Sequence, residues 1–268
     1  VLFILIPVLG TLVDSFFQKV IYLPDIFVWF KNYRFLLSDP NFWNSLRFTV
    51  LFVLVSVPLE ILLGLAIALV LNEPIRFRGL LRACVLIPWA IPAAVSGRVF
   101  ELIYNYSYGA ANALLLRLGL TETPVNWLGT DWGAFFAIVA ADAWKTTPFA
   151  AIILLAGLSS IPEPLYAQAR IDQASMVRRF FRITLPLIKP VLIVAVLFRT
   201  IQALRIFDVI FVLTGGGPGG ATESLSLFAY SFFSAGDFGY GSAVSVILFL
   251  MAVGISVLYV RAGRFQET

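Results

Sequence analysis

Two long apolar runs, at 51–71 and 134–158, constrain this chain more than any other feature. Each is long enough to cross a bilayer, which takes roughly 20 residues of helix. Neither shows the strict alternation, in segments of about ten residues, that marks a membrane β-barrel. Lipid offers no water to satisfy an open backbone, so such runs read as helices. Composition agrees: 60% of the 268 residues are hydrophobic and 13% are charged, against about a quarter charged in a soluble domain. The expectation is an all-α membrane protein.

Six transmembrane helices can be drawn, over 1–23, 43–71, 80–106, 134–158, 190–213 and 240–260. They make one transmembrane domain over 1–268. Asn72-Glu73-Pro74 ends the second, because proline cannot continue a helix. The chain opens inside an apolar run with no basic leader, which reads as a first span already under way. Orientation follows from Lys and Arg in the connections. Arg76, Arg78, Arg82, Arg170, Arg178, Arg179, Arg182, Lys189, Arg261 and Arg264 fall on one side; Lys31, Arg34, Arg47 and Arg117 fall on the other. The richer side is cytoplasmic, and both termini lie there. Trp29, Trp43, Trp127 and Trp132 then fall near the outer interface, where aromatic residues gather. The net charge of +4 is accounted for by this bias rather than by nucleic acid.

The chain has no histidine and one cysteine, Cys84. That removes the commonest general base, the usual zinc site, a Ser-His-Asp triad and any internal disulfide. The glycine-rich stretch "GGGPGGAT" at 215–222 has Ala221 where a phosphate loop needs lysine, and it lies on the outer side. It reads as an external turn, so the chain itself hydrolyses no ATP.

Between the fourth and fifth spans lies a basic loop, about 159–189. Pro164 suits the first turn of one short helix, and Ser175 can cap a second. Met176, Val177, Phe180, Phe181 and Thr184 form one face of that second helix, with Arg178, Arg179 and Arg182 opposite. Pro186 and Pro190 are expected to end it before the fifth span. An amphipathic helix of this kind either lies on anionic lipid or docks a partner protein.

Polar groups at membrane depth are costly and usually face a cavity or a partner. Here they are Glu60, Arg98, Glu101, Asp142, Lys145, Arg199, Arg205 and Asp208. "DAWKTTPF" places Asp142, Lys145, Thr146 and Phe149 near one helix face. "RTIQALRIFD" places Arg199, Gln202 and Arg205 or Ile206 on a similar stripe. Two readings stand for both stripes. The i,i+3 pairs Asp142–Lys145 and Arg205–Asp208 brace the bundle, or the stripes face a cargo. Arg98 with Glu101 can pair likewise, and Glu60 reads as a brace. Pro148 is expected to loosen its helix, as at transporter sites.

The loop "IPEPLYAQARIDQASMVRRFFRITLPLIKP" resembles the conserved cytoplasmic loop of ABC importer permeases. Ile161, Pro162, Leu165, Tyr166, Ala169, Ile171, Asp172, Ala174, Ser175, Phe180 and the run from Ile183 to Leu187 fit its pattern. "NYRFLLSDPNFWNSLRFT", "IPWAIP", "VNWLG" and "FDVIFVLTGGGPGGATESLSLFAY" are similar to the maltose-related, sugar-importing branch. The resemblance implies a transport subunit of the bacterial or archaeal inner membrane that forms half of a pathway for a di- or oligosaccharide. It implies a second permease subunit, most simply as a heterodimer, a cytoplasmic ATPase dimer and an extracytoplasmic sugar-binding protein. ATP and Mg²⁺ belong to the ATPase, and this chain carries no cofactor. It assigns cargo contact to Asp142, Lys145, Thr146, Phe149, Arg199, Gln202 and Ile206. Coupling to the ATPase falls to Tyr166, Ala169, Asp172, Ala174, Ser175, Arg178, Phe180 and Phe181, with Asp172 holding the bend and the two phenylalanines in a cleft of the partner. Ala167, Gln168 and Gln173 depart from the pattern, which has Glu, Ala and Gly there. If the bend at Gln173 is left-handed, the side chain costs roughly 1 kcal/mol. The alternatives are the same machinery carrying a polyol or glycerol phosphate, a secondary transporter, and, last, a membrane enzyme.

Overall fold

Proline sets most of the breaks in this chain. The computed structural model describes residues 2–74 and 76–264. Helix α1 (Leu2–Asp14) leads into a small antiparallel hairpin, β1 (Phe17–Gln18) with β2 (Ile26–Phe27), and then into α2 (Lys31–Ser38). Helix α3 (Pro40–Asn72) starts on a proline, whose missing N–H is surplus at a first turn, and stops before Pro74 as expected.

The third expected span is broken. It consists of α4 (Arg78–Ala90) and α5 (Ala93–Ile103), bent by 89°. Pro92 is the cause. It disfavours helical geometry in the preceding residue, and Ile91 is extended, with φ −73° and ψ 134°. After α6 (Ala110–Arg117), α7 (Asp131–Ser159) runs through Pro148 as one helix.

The fifth expected span is displaced. Helix α8 (Glu163–Ile171) is followed by α9 (Met176–Arg179), a π turn (Phe180–Thr184) and α10 (Leu185–Leu204). The last three form one continuous helical rod, Met176–Leu204. Pro186 and Pro190 do not stop it. Leu185 N–H donates to Phe180 O, and this wider turn just before Pro186 eases the clash a proline makes with the preceding turn. The rod ends at Leu204, and 208–213 form a separate short helix, α11 (Asp208–Leu213). Helices α12 (Leu225–Ala235) and α13 (Phe238–Arg264) complete the fold. The turn from Thr214 to Glu223 is closed on itself: Thr222 Oγ1 donates to Gly217 O at 2.6 Å.

Among the described residues, four helices are long and apolar enough to span a membrane, and the bent pair makes five. The first expected span holds α1 and β1, and helix length alone does not establish the count of six. Apolar side chains such as Leu54, Leu62 and Leu250 lie exposed on the long helices, as lipid permits.

Within the described residues the chain divides into two compact units. The first is built from Val1–Leu54, Ala93–Ala141 and Gln202–Ile255, the second from Val55–Pro92, Asp142–Ile201 and Ser256–Thr268. The first has a core of Leu36, Phe42, Leu225, Phe228, Ala229 and Val244. Polar ties fix its ends: Leu225 N–H donates to Thr49 Oγ1, and Tyr240 OH to Asp39 Oδ2. Glu223 lies beside Ser45, and its burial pushes the carboxyl above its ordinary value. In the second unit, α3 and α7 approach at Gly64, where a Cβ would sit 3.0 Å from Ala150 Cβ. Small residues at such points let membrane helices come close.

Candidate functional site

The second unit holds a buried ionic cluster drawn from three helices. Arg199 on α10 donates through Nε to Glu60 Oε2 on α3 at 2.5 Å, and through Nη2 to Asp142 Oδ2 on α7 at 3.1 Å. The side chains of Glu60 and Arg199 are 0% and 1% exposed, while that of Asp142 is 10% exposed. Asp142 is therefore the member nearest open space. Two carboxylates share one guanidinium, leaving Glu60 Oε1 buried without a hydrogen-bond partner among the described residues. Two acids face the one guanidinium, so Arg199 presents no unbalanced positive charge.

The other residues of the α7 stripe lie around this edge. Thr146 Oγ1 donates to the Asp142 carbonyl at 2.6 Å, a bond back along its own helix. Lys145 Nζ donates to the carbonyl of Trp89 at 3.3 Å, close to the break between α4 and α5. Phe149 stacks on Trp89, with centroids 6.0 Å apart and planes at 16°, and meets Phe198 edge-on. A flat aromatic surface beside an ammonium and a carboxylate suits a ligand with both C–H faces and hydroxyls.

Gln202 and Ile206 belong to the first unit. Ile206 is buried, and its carbonyl accepts from Ser224 Oγ. Arg205 and Asp208 are exposed and no ion pair joins them among the described residues, because the helix expected to carry both ends at Leu204. Arg98 and Glu101 form an ion pair on α5.

The loop between α7 and α10 forms two short helices with a bend, as its prolines and Ser175 suggest. Ser175 Oγ accepts from Arg178 N–H at the start of α9. The backbone closes the bend: Gln173 N–H donates to Arg170 O and Ala174 N–H to Ala169 O. Gln173 takes φ +54°, the left-handed conformation that glycine supplies at least cost. The Asp172 carboxylate is exposed and makes no hydrogen bond among the described residues, so backbone bonds hold the bend where Asp172 was expected to. Ala169 is buried and Ala174 half-buried, while the Arg178 side chain is exposed. Tyr166 OH lies 2.9 Å from Thr184 Oγ1. Phe180 is half-buried and meets Phe181 edge-on at 5.0 Å. Phe181 is 60% exposed, with Ile171 at 80%, Met176 at 77% and Val177 at 66%. The apolar face of this amphipathic segment is thus uncovered at Met176, Val177 and Phe181, while Phe180 is half-buried and Thr184 buried.

Residues 60–266 match the family described as binding-protein-dependent transport system inner membrane component. The chain belongs to that family. It is a multi-pass membrane transport component, not an enzyme. It is 55% identical over 266 residues to the trehalose/maltose transport system permease protein MalF of Thermococcus litoralis, covering 99% of this chain and 90% of that protein. It is 40% identical over 269 residues to the sulfoquinovosyl glycerol transport system permease protein SmoG of Agrobacterium fabrum, covering 99% and 87%. A solved bacterial ABC transporter that imports the acidic polysaccharide alginate contains a chain with a TM-score of 0.86, 22% identity and coverage of 99% and 91%. That likeness shows a shared fold.

Sequence reasoning did not single out Trp89. The signal for Trp89 was present in "IPWAIP", a tryptophan at mid-span between two prolines, the second of which breaks the helix. It also did not join Glu60 to Arg199, 139 residues away. No periodicity within one helix encodes such a partner.

Proposed function

We propose that this chain is a permease subunit of an ATP-driven ABC importer for an uncharged disaccharide of the trehalose or maltose kind. It forms half of the translocation pathway beside a second permease subunit. A cytoplasmic ATPase dimer docks on the loop between α7 and α10 and binds the ATP and Mg²⁺. An extracytoplasmic sugar-binding protein delivers the cargo, and both termini face the cytoplasm. The observation that carries this reading is the 55% identity, over 99% of the chain, to a trehalose/maltose permease. The site supports it. Asp142, Lys145, Thr146, Phe149 and Trp89, all of the second unit, offer hydroxyl partners and an aromatic face. Arg199 takes part through Asp142. A glycerol phosphate would want an unbalanced arginine, and Arg199 is already shared by two acids.

The test is uptake into proteoliposomes holding the complete complex, with trehalose, maltose, a uronic-acid disaccharide, a polyol and glycerol phosphate compared. ATP-dependent uptake of a neutral disaccharide is expected. Uptake driven by an ion gradient without ATP, or preference for the anionic cargoes, would refute the reading. The orientation is tested by cysteine labelling: Arg178→Cys is expected to react from the cytoplasmic side and Gly219→Cys from outside.

A further inference from the structure

The π turn at Phe180–Thr184 is the one change of hydrogen-bond register in the rod Met176–Leu204. Such turns are frequent at functional sites. A rod that carries a docking surface at one end transmits displacement only if that turn is held. Thr184, the last residue of the turn, is 4% exposed. A helical threonine commonly returns its hydroxyl to the carbonyl four residues back. Thr11, Thr49, Thr146, Thr200 and Thr214 all do so in this chain. The Thr184 hydroxyl instead crosses to Tyr166 OH on α8, at 2.9 Å. Backbone bonds close the loop's bend, and Ser175 caps its second arm.

We propose that Thr184 and Tyr166 form a clamp that fixes the π turn to α8, so that a push on the loop tip moves α10 instead of being absorbed in the turn. Thr184 is a positioning residue in this account: it acts through the helix and touches neither cargo nor nucleotide. The inference rests on the reading of the loop as the ATPase dock.

The experiment measures cargo transported per ATP hydrolysed in proteoliposomes holding the complete complex. Thr184→Val and Tyr166→Phe are each expected to lower that ratio by roughly two- to tenfold, the range set by one hydrogen bond. The double variant is expected to fall no further, because both single changes remove the same bond. Thr184→Ser, which keeps the hydroxyl, is expected to hold the parental ratio. A purely structural role predicts less assembled complex with the ratio unchanged. Additive losses, or a parental ratio in Thr184→Val, overturn the clamp alone. A parental complex without ATP-driven uptake overturns the transport reading and the clamp with it.

Discussion

Arg199 is 1% exposed and Ile171 is 80% exposed, the reverse of what water alone would arrange. Around Arg199 the chain supplies its own partners, Glu60 and Asp142, from two other helices. Around Ile171 the described residues leave the surface open: Met176, Val177 and Phe181 are also exposed at the loop. The Arg199 cluster is matched in charge within its unit, whereas the loop leaves large apolar side chains exposed. If the loop is the ATPase dock proposed above, substitutions in the two regions should separate stability from coupling.

The largest effect is expected at the buried cluster. Arg199→Leu strands two buried carboxylates, and removing one partner of a buried pair costs about 3–5 kcal/mol. Thermal unfolding of the detergent-solubilised protein should show a large loss, partly restored when Glu60→Gln is added. A parental midpoint in the single variant would show that the cluster is not a stability element. At the loop the order is reversed. Phe181→Asp should leave that midpoint in place and cut ATP-driven uptake by about tenfold or more, as loss of a central apolar anchor does. Parental uptake would return the loop to a lipid-facing role.

A smaller gain is expected at the bend. Gln173→Gly relieves a side chain held at φ +54° and should stabilise the loop by roughly 1 kcal/mol. Amide exchange should slow across 169–175; faster exchange would contradict the left-handed bend. The smallest effect concerns pH in the first unit. Burial raises the Glu223 carboxyl above its ordinary 4.5. A raised carboxyl favours the protonated folded state, so its contribution is full below that ordinary value and is lost as pH rises through the folded one. Glu223→Gln should remove this share of the pH slope. A midpoint difference between variant and parent that does not change with pH would refute it.

The sequence read best where one helix acts alone. Asn72-Glu73-Pro74 ended α3, Ser175 capped α9, and the glycine position occupied by Gln173 took positive φ. Prolines were harder, since the same residue can break a helix or ride within it. Pro92 produced the 89° bend, whereas Pro148, Pro186 and Pro190 lie inside helices. What distinguishes them is the neighbouring backbone: an extended Ile91 in one case, a π turn before Pro186 in another. Least legible was the cluster. Helical spacing pointed Asp142 toward Lys145, while the described bond comes from Arg199, 57 residues away.

The continuity of Met176–Leu204 gives this chain leverage. From the π turn to Arg199 the rod covers about 22 Å, at 1.5 Å per residue. A tilt of roughly 5° about that turn displaces the Arg199 end by about 2 Å over this length. The Arg199–Asp142 bond is 3.1 Å long, and a shift of that size decides whether it exists. A rotation too small to alter the fold is therefore large enough to part the arginine from the Asp142 carboxylate.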